Sequence, residues 1–133
     1  MKLLYKISFI CILISTPLIG NGQNGKSHVL KLTRDDSGKT QVMPKCQKFN
    51  LTLPDHVDGG YRFNKPQYNK AVLLLVKHDE VGPGNNNRPG EPGHDTWEFI
   101  AIKKGASNLK ITASRPWAKN SIIIVYSGMV LVK

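Results

Sequence analysis

Four histidines and two cysteines are the first candidates for chemistry: His28, His56, His78 and His94, with Cys11 and Cys46. The histidines have no metal-ligand spacing such as HExxH. His56 and His94 can meet only if their loops lie at one end of the fold. Asp55, Asp58 and Asp95 would then gather there as well, and solvated loop side chains are the plain alternative. No GxSxG, SxxK or CGSCW pattern occurs, so a nucleophile with its base is not signalled. Cys46 lies between Lys45 and Lys48, and nearby cations favour a thiolate. No base is close in sequence, which leaves a structural or surface thiol. A metal site or metal-dependent binder built on His56, His94 and Cys46 is the lesser reading, and no cofactor or metal is expected.

The segments that must position such groups come next. Residues 1–22 follow the export pattern, with Lys2 and Lys6 ahead of the apolar stretch ISFICILI. Gly20 and Gly22 sit at the −3 and −1 positions of a cleavage before Gln23. The stretch is short for a membrane span and is broken at Pro17. Residues 23–133 then form one mature domain, secreted or periplasmic. Cys11 leaves with the leader, so the single remaining thiol cannot close an internal disulfide and stability must come from packing.

Alternation and β-branched runs dominate the mature chain. His28–Thr33, Gln47–Leu53, Thr96–Ile102 and Asn108–Ala113 read as strands. Ala71–Lys77 (AVLLLVK) reads as a strand covered on both faces. Ser121–Ser127 and Met129–Val132 close the chain around a break or bulge at Gly128, with Lys133 guarding an open edge. Turn signals at 36–38, 59–60, 104–106 and 115–116 separate them. The spacing predicts an all-β, immunoglobulin-like antiparallel β-sandwich of about seven to eight strands. The longest break is 81–95 (VGPGNNNRPGEPGHD), in which Gly and Pro fill seven of fifteen positions. A loop of that length in a compact domain is functional or mobile. It lacks the GK[ST] of a phosphate loop.

Loss of Lys2 and Lys6 with the leader lowers the formal charge by two, from +10 to +8. The remaining basic residues are spread along the chain, Lys103-Lys104 being the densest pair, and no RNP-type aromatic pattern accompanies them. The charge serves solubility and weak steering; neither nucleic acid nor a membrane is an expected partner once the leader is gone.

Three turn segments together carry a resemblance. Leu53-Pro54-Asp55-His56-Val57-Asp58-Gly59-Gly60-Tyr61-Arg62-Phe63 aligns without a gap on LPxNPTTGYxW. Gly90-Glu91-Pro92-Gly93 resembles GxGG, and Arg115-Pro116-Trp117 matches RPW. In this order the segments resemble the chagasin family, inhibitors of papain-like cysteine peptidases, over about residues 28–133. The resemblance implies a monomeric, non-enzymatic, reversible inhibitor that fills a peptidase cleft with loops 56–60, 89–94 and 115–117.

The residues implied to bind are His56, Val57, Asp58, Gly59, Gly60, Gly90, Glu91, Pro92, Gly93, Arg115, Pro116 and Trp117. Trp117 is the expected anchor, since an aromatic following Pro offers large apolar area at low entropy cost. A fold-back of Trp117 as a core plug is the alternative. Tyr61 and Phe63 alternate on a strand and are expected in the core. The family's NPTT is replaced by His56-Val57-Asp58-Gly59. A carboxylate about 4 Å from a thiolate is repelled by about 1 kcal/mol in water and about 4 kcal/mol when partly desolvated. That departure keeps a second function open, a non-inhibitory chagasin-like surface or ligand-binding module.

Overall fold

The computed structural model describes residues 28–55, 59–83 and 92–133. The leader therefore lies outside the described residues, as do His56, Val57, Asp58, Gly90 and Glu91. The described strands are β1 (Leu30–Leu32), β2 (Thr40–Met43), β3 (Lys48–Pro54), β4 (Arg62–Phe63), β5 (Leu73–Val81), β6 (His94–Ala101), β7 (Gly105–Ser114) and β8 (Ile123–Val132). They form two four-stranded sheets, β1-β3-β6-β5 and β2-β8-β7-β4. No helix among the described residues is long and apolar enough to cross a membrane.

The period-two alternation read in the sequence supplies the core. Phe49, Leu51 and Leu53 of β3 are fully buried, as are Phe99 and Ala101 of β6, with Trp97 beside them, and Leu109 and Ile111 of β7. Their polar neighbours point outward, because successive strand residues face opposite sides. Phe49 stacks on its cross-strand partner Phe99 with ring centroids 5.3 Å apart. Phe63 meets Trp97 edge-on at 5.2 Å, and Tyr68 meets Phe99 likewise at 5.2 Å. Each such side chain contributes roughly 1.5–3 kcal/mol by leaving water. Packing of this kind holds the domain.

Four details differ from the sequence reading. The sandwich is not purely antiparallel: β1 runs parallel to β3, and β2 parallel to β8. A link at 33–39, built on a 3-10 turn at Arg34–Asp36, carries the chain from one sheet to the other, so β1 and β2 both lie on edges. The turn is closed by Asp36 Oδ2, which accepts the Thr33 backbone N–H at 2.9 Å.

Second, β5 is an edge strand rather than one covered on both faces. Leu74 and Val76 are 47% and 50% exposed. A bulge between Leu75 and Lys77 shifts the register against β6. It rephases the strand, so His78 and Glu80 lie opposite Trp97 and Asp95, on the face that Leu73 and Leu75 occupy before it. Apolar composition alone cannot reveal such a slip.

Third, β8 is continuous and internal, flanked by β2 and β7, so Lys133 guards no open edge. Its register shift lies opposite Ile111 and Thr112, which pair with Tyr126 and Ile124. Gly128 has a packing role instead: a Cβ there would stand 2.7 Å from the Tyr126 hydroxyl. Fourth, the short strand β2 carried no apolar run long enough to be recognised, whereas the strand expected at Tyr61 and Phe63 is present as β4, with both rings packed against the core.

Candidate functional site

The strand register brings two of the three turn segments together. β4 pairs with the end of β7, Arg62 opposite Ser114 and Phe63 opposite Ala113. Tyr61 therefore leaves the sheet beside Arg115. Asn64 fastens this junction, donating from Nδ2 to Thr112 Oγ1 at 3.0 Å while its Oδ1 accepts from Ser114 Oγ at 3.0 Å.

Arg115 lies back over the first segment. Its guanidinium carbon is 4.6 Å from the centroid of the Tyr61 ring, a cation–π contact. A Cβ on Gly59 would stand 2.9 Å from Arg115 Nη2. Gly59 and Gly60 have φ of +95° and +73°, the left-handed region where only glycine is unstrained. The Trp117 ring covers Gly60 so closely that a Cβ there would overlap its Cη2. Trp117 itself stays 71% exposed, which removes the core-plug alternative.

The third segment is a turn with its own fastening. Ala118 N–H donates to the Arg115 carbonyl at 3.1 Å, and Pro116 holds the φ that the second position of such a turn needs. Ser121 Oγ accepts the Arg115 backbone N–H at 2.7 Å and donates to the Ala118 carbonyl at 2.8 Å. Trp117 is thus presented by a braced turn.

The second segment returns at the same end. Pro54 pairs with His94, and the Asp55 N–H donates to the Gly93 carbonyl at 2.7 Å. Gly93 is buried, and a Cβ on it would overlap the Val81 carbonyl oxygen. Its lack of a side chain serves the close pass of two backbone stretches. Pro92 is exposed. Among the predicted binding residues that are described, the structure gathers Gly59, Gly60, Arg115 and Trp117 into one contact cluster. Pro116 lies within that cluster's turn, and Pro92 and Gly93 adjoin the base of the first segment.

Beneath these turns a cavity of about 520 Å³ opens, lined by Asp55, Gly60 to Phe63, Glu80 and Asp95. Asp95 is 8% exposed. Its Oδ2 is 2.7 Å from His78 Nε2, and the His78 ring stacks on Trp97 at 4.9 Å. Burial pushes the Asp95 carboxyl above its ordinary value; the His78 hydrogen bond opposes the shift, and the charges of Glu80 and Asp55 add to it. Asp55 and Asp95 line one cavity; His56 and Asp58, the other members of that expected group, lie outside the described residues. The histidine that joins Asp95 is His78 rather than His94, because the β5 bulge puts the exposed His78 on the sheet face of Trp97 and Asp95.

Sequence reasoning missed Ser121, Asn64 and His78 as positioning residues. Ser121 and Asn64 are polar residues beside turns, with no spacing that marks their partners.

The comparisons with known proteins agree with this architecture. The model of the chagasin family peptidase inhibitors (I42) matches residues 42–126. The crystal structure of the cysteine protease inhibitor EhICP2 from Entamoeba histolytica superposes with a TM-score of 0.66 at 19% identity, over 79% of this chain and 96% of that one. The solution structure of amebosin gives 0.62 at 19% identity, over 79% and 98%. No curated protein sequence matches the chain. Likeness at such identity speaks for the fold. The family match covers more than half of the chain and runs through all three turn segments, and on that basis the chain belongs to the chagasin family of peptidase inhibitors.

Proposed function

We propose that the mature chain, 23–133, is a secreted or periplasmic monomeric inhibitor of papain-like cysteine peptidases. It docks loops 56–60, 89–94 and 115–117 into the active-site cleft, reversibly and without being cleaved. One observation carries this reading: Trp117 is 71% exposed yet held over Gly60, beside an Arg115 pinned on Tyr61. A large apolar side chain kept in water by a braced turn is costly for a monomer and useful to a partner.

The physical logic is preorganisation. The turn at 115–118, fixed at its root by Ser121, loses little freedom on docking, so more of its contact energy survives as affinity. A standard interface of roughly 1,600 Å² requires all three segments. Trp117 fills an apolar subsite on the peptidase, Arg115 faces its rim, and 56–60 covers the catalytic cysteine. The test is titration of papain and a cathepsin L-type peptidase with the mature chain. The reading expects stoichiometric, substrate-competitive inhibition with the inhibitor recovered intact. Absence of inhibition at micromolar concentration across several such enzymes contradicts it.

The replacement of NPTT by His56-Val57-Asp58-Gly59 favours a second reading, a family scaffold turned to a different ligand. Replacing these four residues by Asn, Pro, Thr and Thr separates the two. Inhibition that appears only after the exchange assigns the natural chain another target.

A further inference from the structure

We propose that His78, Glu80 and Asp95 form a binding site for one divalent transition-metal ion of the zinc type, at the root of segment 82–93. One ligand atom from each of the three lies within 4.8 Å of the others. They come from two neighbouring strands in register, His78 opposite Trp97 and Glu80 opposite Asp95. The donor set is mixed, one imidazole nitrogen and two carboxylates, which suits zinc and its neighbours rather than magnesium or calcium.

The geometry is close to what an ion needs. Two ligands of a tetrahedral zinc ion are about 3.3 Å apart, given bond lengths of about 2.0–2.1 Å. His78 Nε2 and Asp95 Oδ2, now 2.7 Å apart, need open by only about half an ångström, and Glu80, on an exposed strand, closes the remainder. The His78 ring is already fixed by its stack on Trp97 at 4.9 Å. Glu80 and Asp95 line the 520 Å³ cavity together with Asp55, which leaves space for water in the fourth position.

The charge balance favours a cation at this spot in an otherwise basic chain. Glu80 and Asp55 line the same cavity as Asp95, so three carboxylates gather there and repel one another. A divalent ion converts that repulsion into attraction. It would also tie β5 to β6 on either side of segment 82–93.

The experiment is isothermal titration of the metal-free mature chain with zinc chloride, with thermal melts in parallel. One ion per chain with a dissociation constant below about 10 μM is expected. A hundredfold excess over that constant raises Tm by about 5 °C or more, and millimolar magnesium does not compete. Glu80→Gln, an exposed position that leaves the fold intact, weakens binding at least tenfold, and Asp95→Asn and His78→Gln do the same. Cys46→Ser and His28→Gln, which flank a separate cavity, leave binding unchanged. No stoichiometric uptake, uptake indifferent to Glu80→Gln, or uptake lost with Cys46→Ser overturns the proposal. Because the readout is binding, the result is independent of whether the chain inhibits a peptidase.

Discussion

The indole of Trp117 rests on Gly60, and no other residue type at position 60 leaves room for it. The first and third turn segments are thereby one mechanical unit. Gly60 supplies a flat backbone, Trp117 covers it, and Arg115 closes the side against Tyr61 and Gly59.

Gly60→Ala tests that unit. The new Cβ overlaps the indole, and the φ of +73° is strained for alanine. Stability falls by about 1–2 kcal/mol, and Trp117 is displaced. Inhibition of a papain-like peptidase weakens about tenfold or more. Thermal melts and inhibition constants measured on one preparation check both halves, and an unchanged inhibition constant removes the contact from the binding mechanism.

Ser121→Ala tests the bracing of the turn. The hydroxyl accepts from Arg115 N–H and donates to the Ala118 carbonyl, so its loss costs about 1 kcal/mol of stability. The turn that carries Trp117 loosens, and inhibition weakens several-fold. Surface plasmon resonance should show the loss mainly in faster dissociation. A variant that melts lower but dissociates at the original rate contradicts the positioning role of Ser121.

Much of this molecule is legible in its sequence, for identifiable reasons. β3, β6 and β7 announce themselves because Phe49-Leu51-Leu53, Trp97-Phe99 and Leu109-Ile111 alternate with polar residues, and one face of each is buried. Arg115, Trp117 and Gly60 stand out because glycine, proline and aromatics punctuate turns. What stayed hidden depends on pairing. The bulge beside Leu75 that brings His78 opposite Trp97 exists only relative to β6. Continuous apolar residues from Ala71 to Val76 look fully buried until the strand is found on an edge. β2 is short, and its extended form comes from pairing with β8. The parallel edges follow from a sheet-switching link that leaves no periodic trace.

Gly128 and Tyr126 provide a test of the packing account. Gly128→Ala forces a methyl group against the Tyr126 hydroxyl and should destabilise the domain by about 1–3 kcal/mol. In a Tyr126→Phe background the same change should cost less, because the nearest atom has gone. A double-mutant cycle by urea denaturation measures the coupling. Equal costs in both backgrounds contradict the contact.

Asp95 makes stability depend on pH with a defined sign. Burial raises its folded value above the ordinary 3.8. Below 3.8 both folded and unfolded states carry the proton, and the buried carboxyl is uncharged. As pH rises the unfolded chain releases its proton first, so stability drains away until the raised folded value is passed. Asparagine has no such slope. Wild type should therefore lose stability relative to Asp95→Asn as pH increases through that window, measured as the difference in Tm between the two in metal-free buffer. A difference that moves the opposite way contradicts the burial assignment.

The exposed indole of Trp117 is where the functional account is most exposed to test. Trp117→Ala removes a side chain that is 71% in water, so Tm should shift by no more than about 2 °C. The inhibition constant against a papain-like peptidase should rise about 30-fold, the equivalent of about 2 kcal/mol at a central anchor. An unchanged inhibition constant for a fully folded Trp117→Ala variant contradicts the account.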